Sequence, residues 1–143
     1  MIVKRSVTVN APADRAFRAF TEEIGQWWPL DQGFSFLGDN HKDMFLEGRA
    51  GGRLYERGSD GAEYDIGQVR AFEPPNRVLI SWSQPDWDAP TEVEVRFVPG
   101  DMGTRVELEH RGFEKIGEKA EEEFNSFNEG WVGVLSFYEK HAA

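Results

Sequence analysis

His110 is the side chain in this sequence that is best suited to acid–base chemistry. It ends a run in which Thr104, Val106 and Leu108 alternate with charged residues, so the pattern predicts that its ring points to the buried face of a strand. A buried imidazole near a carboxylate can titrate across neutral pH, as a general acid or base must. A hydrogen-bonded core histidine fits the same pattern and is the favoured interpretation, so His110 stands only as a catalytic candidate.

Glu47 and Arg49 are the candidate polar partners of that histidine. They share the strand phase of Phe45, which would turn all three side chains to the inside of a sheet. An inward Glu–Arg pair is costly unless each group satisfies the other. The pattern therefore favours a structural ion pair at the rim of a cavity over a catalytic pair.

Aromatic side chains are abundant enough to fill a core and also to line a pocket. They make up 13% of the 143 residues, with eleven Phe, five Trp and three Tyr. Ligand pockets are mostly apolar and carry a few fixed polar groups, and this inventory supplies both kinds. The predicted ligand-binding residues are Trp28, Phe34, Phe36, Phe45, Glu47, Tyr55, Tyr64, Ile66, Trp82, His110, Trp131 and Leu135.

Several classes of function are disfavoured by what the sequence lacks. It contains no Cys, only three scattered His and no phosphate-binding, HExxH or GxSxG motif, so no metal and no cofactor are predicted. The net charge of −10 argues against a nucleic-acid partner. The apolar runs are too short to span a membrane, and no signal-peptide pattern opens the sequence, which predicts a cytoplasmic protein.

The elements that must position these residues follow from periodicity. Alternation over residues 3–9, with a polar exception at Arg5, predicts a first strand, and two short helices follow as far as Trp28. Residues 30–41 form a loop rich in apolar side chains. From residue 43 to 111 about six strands follow one another, with Asp60-Gly61 as a hairpin turn.

A long amphipathic helix is predicted from about Lys115 to Lys140. Its apolar residues recur every three or four positions and include Trp131, which Gly130 and Gly133 flank. Glycine costs up to about 1 kcal/mol in a helix interior, so this pair indicates close approach to the sheet or to a ligand. The whole sequence predicts a single α+β domain over residues 1–143, in which a curved antiparallel sheet of about seven strands surrounds the last helix.

An ordered series of short motifs carries a resemblance to a known family. The series consists of Ala11-Pro12, Ala16-Phe17, Phe20-Thr21, Ile24, Trp27-Trp28-Pro29, Glu47-Gly48-Arg49, Gly51-Gly52-Arg53, Asp60-Gly61, Gly67-Gln68-Val69, Pro74-Pro75-Asn76-Arg77, Ser81-Trp82, Thr91-Glu92-Val93, residues 104–110 and Gly130-Trp131. It spans nearly the whole chain. The sequence thereby resembles the homologues of the activator of the Hsp90 ATPase, within the START-like (SRPBCC) helix-grip superfamily.

This resemblance implies a seven-stranded sheet that grips the last helix, with a cavity between them. Relatives in the superfamily bind lipids, sterols or polyketides, some catalyse cyclisation or hydrolysis, and others modulate the chaperone in stress responses. Binding of a small apolar molecule is therefore the first expectation. A cyclase- or hydrolase-type enzyme using His110, and a chaperone- or protein-interaction module without a ligand, are the alternatives. The chain is expected to be a monomer or a homodimer.

Overall fold

Seven antiparallel strands form one curved sheet in the order β1-β7-β6-β5-β4-β3-β2. The structure is a computed structural model that describes all 143 residues. Strands β2 to β7 follow one another as a meander, and β1 completes the sheet by pairing with β7. The strands are β1 Val3–Val9, β2 His41–Leu46, β3 Arg53–Gly58, β4 Glu63–Glu73, β5 Arg77–Trp82, β6 Thr91–Gly100 and β7 Gly103–Arg111.

Three α-helices accompany the sheet: α1 Ala13–Phe20, α2 Ile24–Trp27 and α3 Ala120–Ala142. The prediction that the last helix begins near Lys115 is wrong, because Gly117 has a φ of +113°, which is outside helical space. A short 3-10 turn, Phe113–Lys115, precedes that break. None of the helices combines the length and the apolar character that a bilayer crossing needs.

The core lies between the concave face of the sheet and α3. Trp131, Val134, Leu135 and Tyr138 of the helix are all buried, at the spacing of three and four residues that the sequence predicts. The predicted alternation of the last two strands is also confirmed, because β6 buries Val93, Val95 and Phe97 while β7 buries Thr104, Val106, Leu108 and His110. The α+β helix-grip architecture is therefore the one that the sequence predicts.

The polar exception in β1 has a structural reason. Arg5 is half-buried, and its Nε and Nη2 donate hydrogen bonds to the carbonyl oxygen of Asn128 on α3, at 3.2 and 2.9 Å. The guanidinium thus satisfies a backbone acceptor on the long helix and ties the first strand to it.

Strand β4 changes its inward phase partway along. Tyr64 and Ile66 face the core side, whereas Gln68 and Arg70 are exposed and Val69 is buried instead. The pairing register shifts in both flanking ladders, between Leu54 and Tyr55 of β3 and again after Val69. A bulge therefore sends Gln68 and Arg70 to solvent.

Glu23, just before α2, connects the start of the chain to the end of α3. Its carboxylate accepts hydrogen bonds from Arg15 at 2.7 and 2.8 Å and contacts His141 Nε2 at 2.7 Å. The contact with His141 and the hydrogen bonds from Arg15 lower the pKa of Glu23. This ion-pair cluster holds the last turn of α3 against the first helices.

Replacing Glu23 by Ala is expected to lower the free energy of unfolding by about 1 kcal/mol, because a partly exposed cluster of this kind contributes modestly. Urea denaturation at neutral pH measures the change. Glu22→Ala is the matched control, since Glu22 is exposed and forms no ion pair. Equal effects of the two substitutions would contradict a role for the cluster.

Candidate functional site

A recess of about 230 Å³ opens between α3, the segment after α2 and the end of β5. Its floor is buried and aromatic, and its mouth is polar and partly exposed. We call it the indole recess and define it by its lining residues, which are Trp28, Gly33, Phe34, Ser35, Phe36, Trp82, Gln84, Glu123, Ser126, Phe127, Gly130, Trp131 and Val134.

Three tryptophans from three different elements form the floor. Trp28 follows α2, Trp82 ends β5 and Trp131 lies in the middle of α3, and their ring centroids are 5.6 to 5.8 Å apart. Tilted and edge-to-face arrangements of this kind are the preferred ones for aromatic pairs. The floor is therefore a rigid, packed wall, because each ring is held by the other two.

Phe34 forms the outer wall of the recess and explains the two glycines of α3. A Cβ atom at Gly130 would lie 3.4 Å from the Phe34 ring, and one at Gly133 would lie 3.9 Å from it. Trp28 Nε1 donates a hydrogen bond of 2.9 Å to the carbonyl oxygen of Phe34. This bond holds the segment of residues 33–36 from the other side. The close approach that the glycines indicate is thus made by Phe34.

Glu56 anchors the same segment from the sheet. Its carboxylate is completely buried, and it accepts hydrogen bonds from Ser35 Oγ and from the backbone N–H of Phe36, the latter at 2.8 Å. Ser35 Oγ in turn accepts a hydrogen bond from the N–H of Leu37. Sequence reasoning missed Glu56, although an acidic residue in phase with the buried Leu54 is a signal that could have identified it.

His110 lies behind the floor, in a chain of hydrogen bonds that runs from Trp131 to Trp82. Trp131 Nε1 donates to its Nδ1 at 3.0 Å, so the ring proton is on Nε2 and is donated to Thr91 Oγ1 at 2.7 Å. Thr91 Oγ1 then donates to the carbonyl oxygen of Trp82 at 2.8 Å. Burial lowers the pKa of His110 to about 3, so the ring is neutral at physiological pH.

The inward orientation predicted for His110 is confirmed, but its ring does not line the indole recess. Both nitrogens are occupied by protein partners, and the ring packs against Phe127 and Trp131, which do line the recess. In this structure His110 is therefore a hydrogen-bonded core histidine, whose ring nitrogens bond to Trp131 and Thr91.

Five of the twelve residues predicted for a pocket line the indole recess, namely Trp28, Phe34, Phe36, Trp82 and Trp131. Seven do not, namely Phe45, Glu47, Tyr55, Tyr64, Ile66, His110 and Leu135. Ile66 and Leu135 are core residues, and Tyr64 stacks on Phe36 with ring centroids 4.8 Å apart, outside the recess. Among the lining residues that the prediction omitted are Phe127 and Val134, although the helical spacing from Trp131 indicates both.

Phe45 and Tyr55 face away from the recess because their neighbours occupy the concave face. They lie opposite each other in the β2–β3 ladder and stack with centroids 5.3 Å apart, and the guanidinium of Arg53 lies 3.9 Å above the Tyr55 ring. Glu47 lies at the same edge, where its Oε1 accepts the N–H of Arg53 at 2.8 Å. The ion pair predicted for Glu47 and Arg49 forms here, with 3.9 Å between the charged atoms, and not at the recess.

The mouth of the recess carries one acidic group, Glu123. Partial burial raises its pKa, and the negative charges of Asp86 and Glu122 raise it further. No group of three or more His, Asp or Glu side chains is placed to hold a metal ion anywhere in the chain. The lining residues offer apolar contact, hydrogen bonding and one carboxylate.

Comparisons with known proteins agree on the fold. The family model described as Activator of Hsp90 ATPase homolog 1-like protein matches residues 10–139. A comparison with curated proteins gave no match.

Solved structures of similar fold cover nearly the whole chain. Protein MLL2253 from Mesorhizobium loti is 19% identical with a TM-score of 0.72, and the match covers 98% of this chain and 95% of that one. Protein BH1534 from Bacillus halodurans is 18% identical with a TM-score of 0.70, and the match covers 100% of this chain and 97% of that one. The Aha1 dimer from Colwellia psychrerythraea is 16% identical with a TM-score of 0.69, and the match covers 97% of this chain and 93% of that one. At such identities the likeness establishes the fold alone.

Proposed function

The chain belongs to the Activator of Hsp90 ATPase homolog 1-like family, and from this premise we propose that it binds a small apolar molecule in the indole recess. The observation that carries the proposal is the floor of three buried tryptophans, which opens to a half-exposed, polar mouth. An apolar, pre-formed concavity with a few polar groups is the usual form of a ligand site.

The Trp82 side chain indicates which polar group the ligand should carry. Its Nε1 is buried and has no acceptor within the protein, as is also true of Trp87 Nε1 outside the recess, whereas Trp27, Trp28 and Trp131 all donate to protein acceptors. A buried donor without a partner costs about 1–3 kcal/mol. Because Trp82 lines the recess, we propose that the bound ligand reaches this N–H with an oxygen acceptor, so we expect an ester, ketone or ether oxygen within its apolar body.

The size of the recess limits what can enter it. Drug-sized ligands occupy sites of about 300–1,000 Å³, and the recess, at about 230 Å³, is smaller. It therefore suits a molecule built on one or two rings, or the end of a longer chain that leaves through the mouth. Binding of a lipid by the end of its chain remains a prediction.

The alternative roles have less support. A cyclase or hydrolase that uses His110 would need a free imidazole nitrogen at the recess, and both nitrogens of His110 are occupied. A role as a chaperone- or protein-interaction module in a stress response remains a prediction that rests on the family name. A homodimer likewise remains a prediction, which the dimer of the Colwellia psychrerythraea relative supports by analogy.

Gly130→Ala is expected to weaken binding of dimethylbutyl benzoate, a neutral apolar ester, by about three- to tenfold, because the added methyl group crowds the recess beside Phe34. Isothermal titration calorimetry measures the change. The same substitution is expected to raise the free energy of unfolding by about 0.5–1 kcal/mol, since alanine replaces glycine inside a helix. Weaker binding by a more stable protein cannot be a consequence of unfolding.

Gly133→Ala is the matched control for this experiment. It adds the same methyl group to the same helix and approaches the same ring, but Gly133 does not line the recess. Its stability should rise in the same way while binding stays unchanged. Equal losses of binding in the two variants, or no binding of the ester to the unmodified protein, would overturn the proposal.

A further inference from the structure

The charge at the mouth of the indole recess is entirely negative. Among the thirteen lining residues Glu123 is the only ionisable one, and no Lys or Arg is present. The polar lining is otherwise neutral and consists of Ser35, Gln84 and Ser126. A ligand that enters this mouth therefore meets a carboxylate and no Lys or Arg side chain among the lining residues.

Glu123 has no partner of opposite charge. It takes part in none of the salt bridges of the chain, and the nearby Lys119 is engaged by Asp86 at 3.1 Å. Asp86 and Glu122 act on Glu123 as like charges, Lys119 acts on it more weakly as an opposite charge, and the side chain is half-buried. A partly desolvated carboxylate in a negative surrounding gains from a cation more than an exposed one does.

Aromatic rings lie next to this carboxylate. Phe127 and Trp131 follow Glu123 on α3 at spacings of four residues and line the recess with it, and Phe34 faces them across the opening. The face of an aromatic ring attracts an organic cation within about 6 Å, and this attraction is the usual basis of quaternary-ammonium recognition. A carboxylate and aromatic rings around one opening attract the same kind of ligand.

We infer that the indole recess selects an organic cation, with an apolar ester or ether body on the tryptophan floor and a substituted ammonium group at the mouth beside Glu123. The inference rests on the proposed function and adds the charge class of the ligand. Fatty acids and other carboxylates of equal size are disfavoured by the same geometry, because their charge would lie at the mouth beside Glu123.

The test uses benzoylcholine and dimethylbutyl benzoate, which differ only in that a carbon replaces the quaternary nitrogen. Benzoyloxypropionate, a benzoate ester that ends in a carboxylate, is the anionic probe. Titration calorimetry at low salt is expected to give a roughly tenfold tighter dissociation constant for benzoylcholine than for the neutral ester. The anion is expected to bind most weakly of the three, and added salt should weaken only benzoylcholine.

Glu123→Gln is expected to reduce the preference for the cation to about two- to threefold, which is the share left to the aromatic rings. Glu129→Gln removes the same charge from an exposed position on the same helix outside the recess, and it should leave the preference unchanged. If the neutral ester binds but the cation binds no better, or if both variants lose the preference equally, the charge inference fails while the proposed function stands. If none of the three probes binds, both fail.

Discussion

Acidification from pH 7 to pH 5 is expected to lower the free energy of unfolding by about 2 kcal/mol because of His110 alone. Burial lowers the pKa of this side chain to about 3 in the folded protein, whereas an unfolded histidine titrates near 6.5. Below pH 6.5 the unfolded chain therefore binds a proton that the folded protein does not, and each pH unit costs about 1.4 kcal/mol. The contribution of the neutral ring is complete above pH 6.5 and is lost as the pH falls toward 3.

Urea denaturation at several pH values between 7 and 5 measures this slope. His110→Gln is expected to be less stable at neutral pH, since Trp131 Nε1 and Thr91 Oγ1 lose well-placed partners, but its slope should be flatter by about one proton. His41→Gln is the matched control, because its ring bonds only to the carbonyl oxygen of Gly38 and lies outside this chain of hydrogen bonds; equal flattening of the slope in both variants would contradict the assignment to His110. A slope unchanged in His110→Gln would show that another group binds the proton.

Glu56→Ala is expected to lower the free energy of unfolding by about 2–4 kcal/mol and to abolish measurable binding of the neutral ester. The substitution leaves Ser35 Oγ and the Phe36 N–H without their acceptor, and hydrogen bonds to a charged group contribute about 1.5–3 kcal/mol each. Phe34 and Phe36 would then lose their fixed positions as the wall of the indole recess. Hydrogen exchange of the Phe36 and Leu37 amides should become fast in this variant.

Glu56→Gln separates the charge of the side chain from its hydrogen bonds. A glutamine can accept the Phe36 N–H and donate to Ser35 Oγ, so it should recover most of the stability and of the binding. Slow exchange at Phe36 in Glu56→Ala, or full binding by that variant, would show that the segment is held by Trp28 and the packing of Phe34 alone.

The fold could be predicted because its signals are local. Strict alternation in β6 and β7 and the three- and four-residue spacing around Trp131 each follow from neighbouring residues. The start of α3 was misplaced because Ile116 and Ala120 continue the apolar spacing across Gly117, whose positive φ ends the preceding turn. A local pattern cannot distinguish a helix from a 3-10 turn that buries the same apolar side.

The site was only partly predictable, because it depends on which face of each strand turns inward. Phe45 in β2 and Glu47 just past its end share one phase, Met44 and Leu46 share the other, and both sets contain an apolar residue. The sequence does not show that Met44 is the one that reaches the core. Glu123 was missed for a related reason, since it lies in an acidic run at the helix start whose default interpretation is an exposed face.

The pairing of β1 with β7 has a consequence for folding, because it joins the two most distant strands of the chain. Val3 pairs with His110, and Val9 pairs with Thr104, so the first strand has no neighbour until almost the whole chain is available. Contacts this distant in sequence raise the contact order. They slow folding, because the entropy of closing a large loop is lost before the contact energy is gained. The hairpins between β2 and β7 join neighbouring segments and can form locally, whereas closure by β1 and docking of α3 require segments far apart in the chain to meet. Until then Val3, Val9 and the tryptophans remain open to unwanted association, and the high net charge of −10 opposes it.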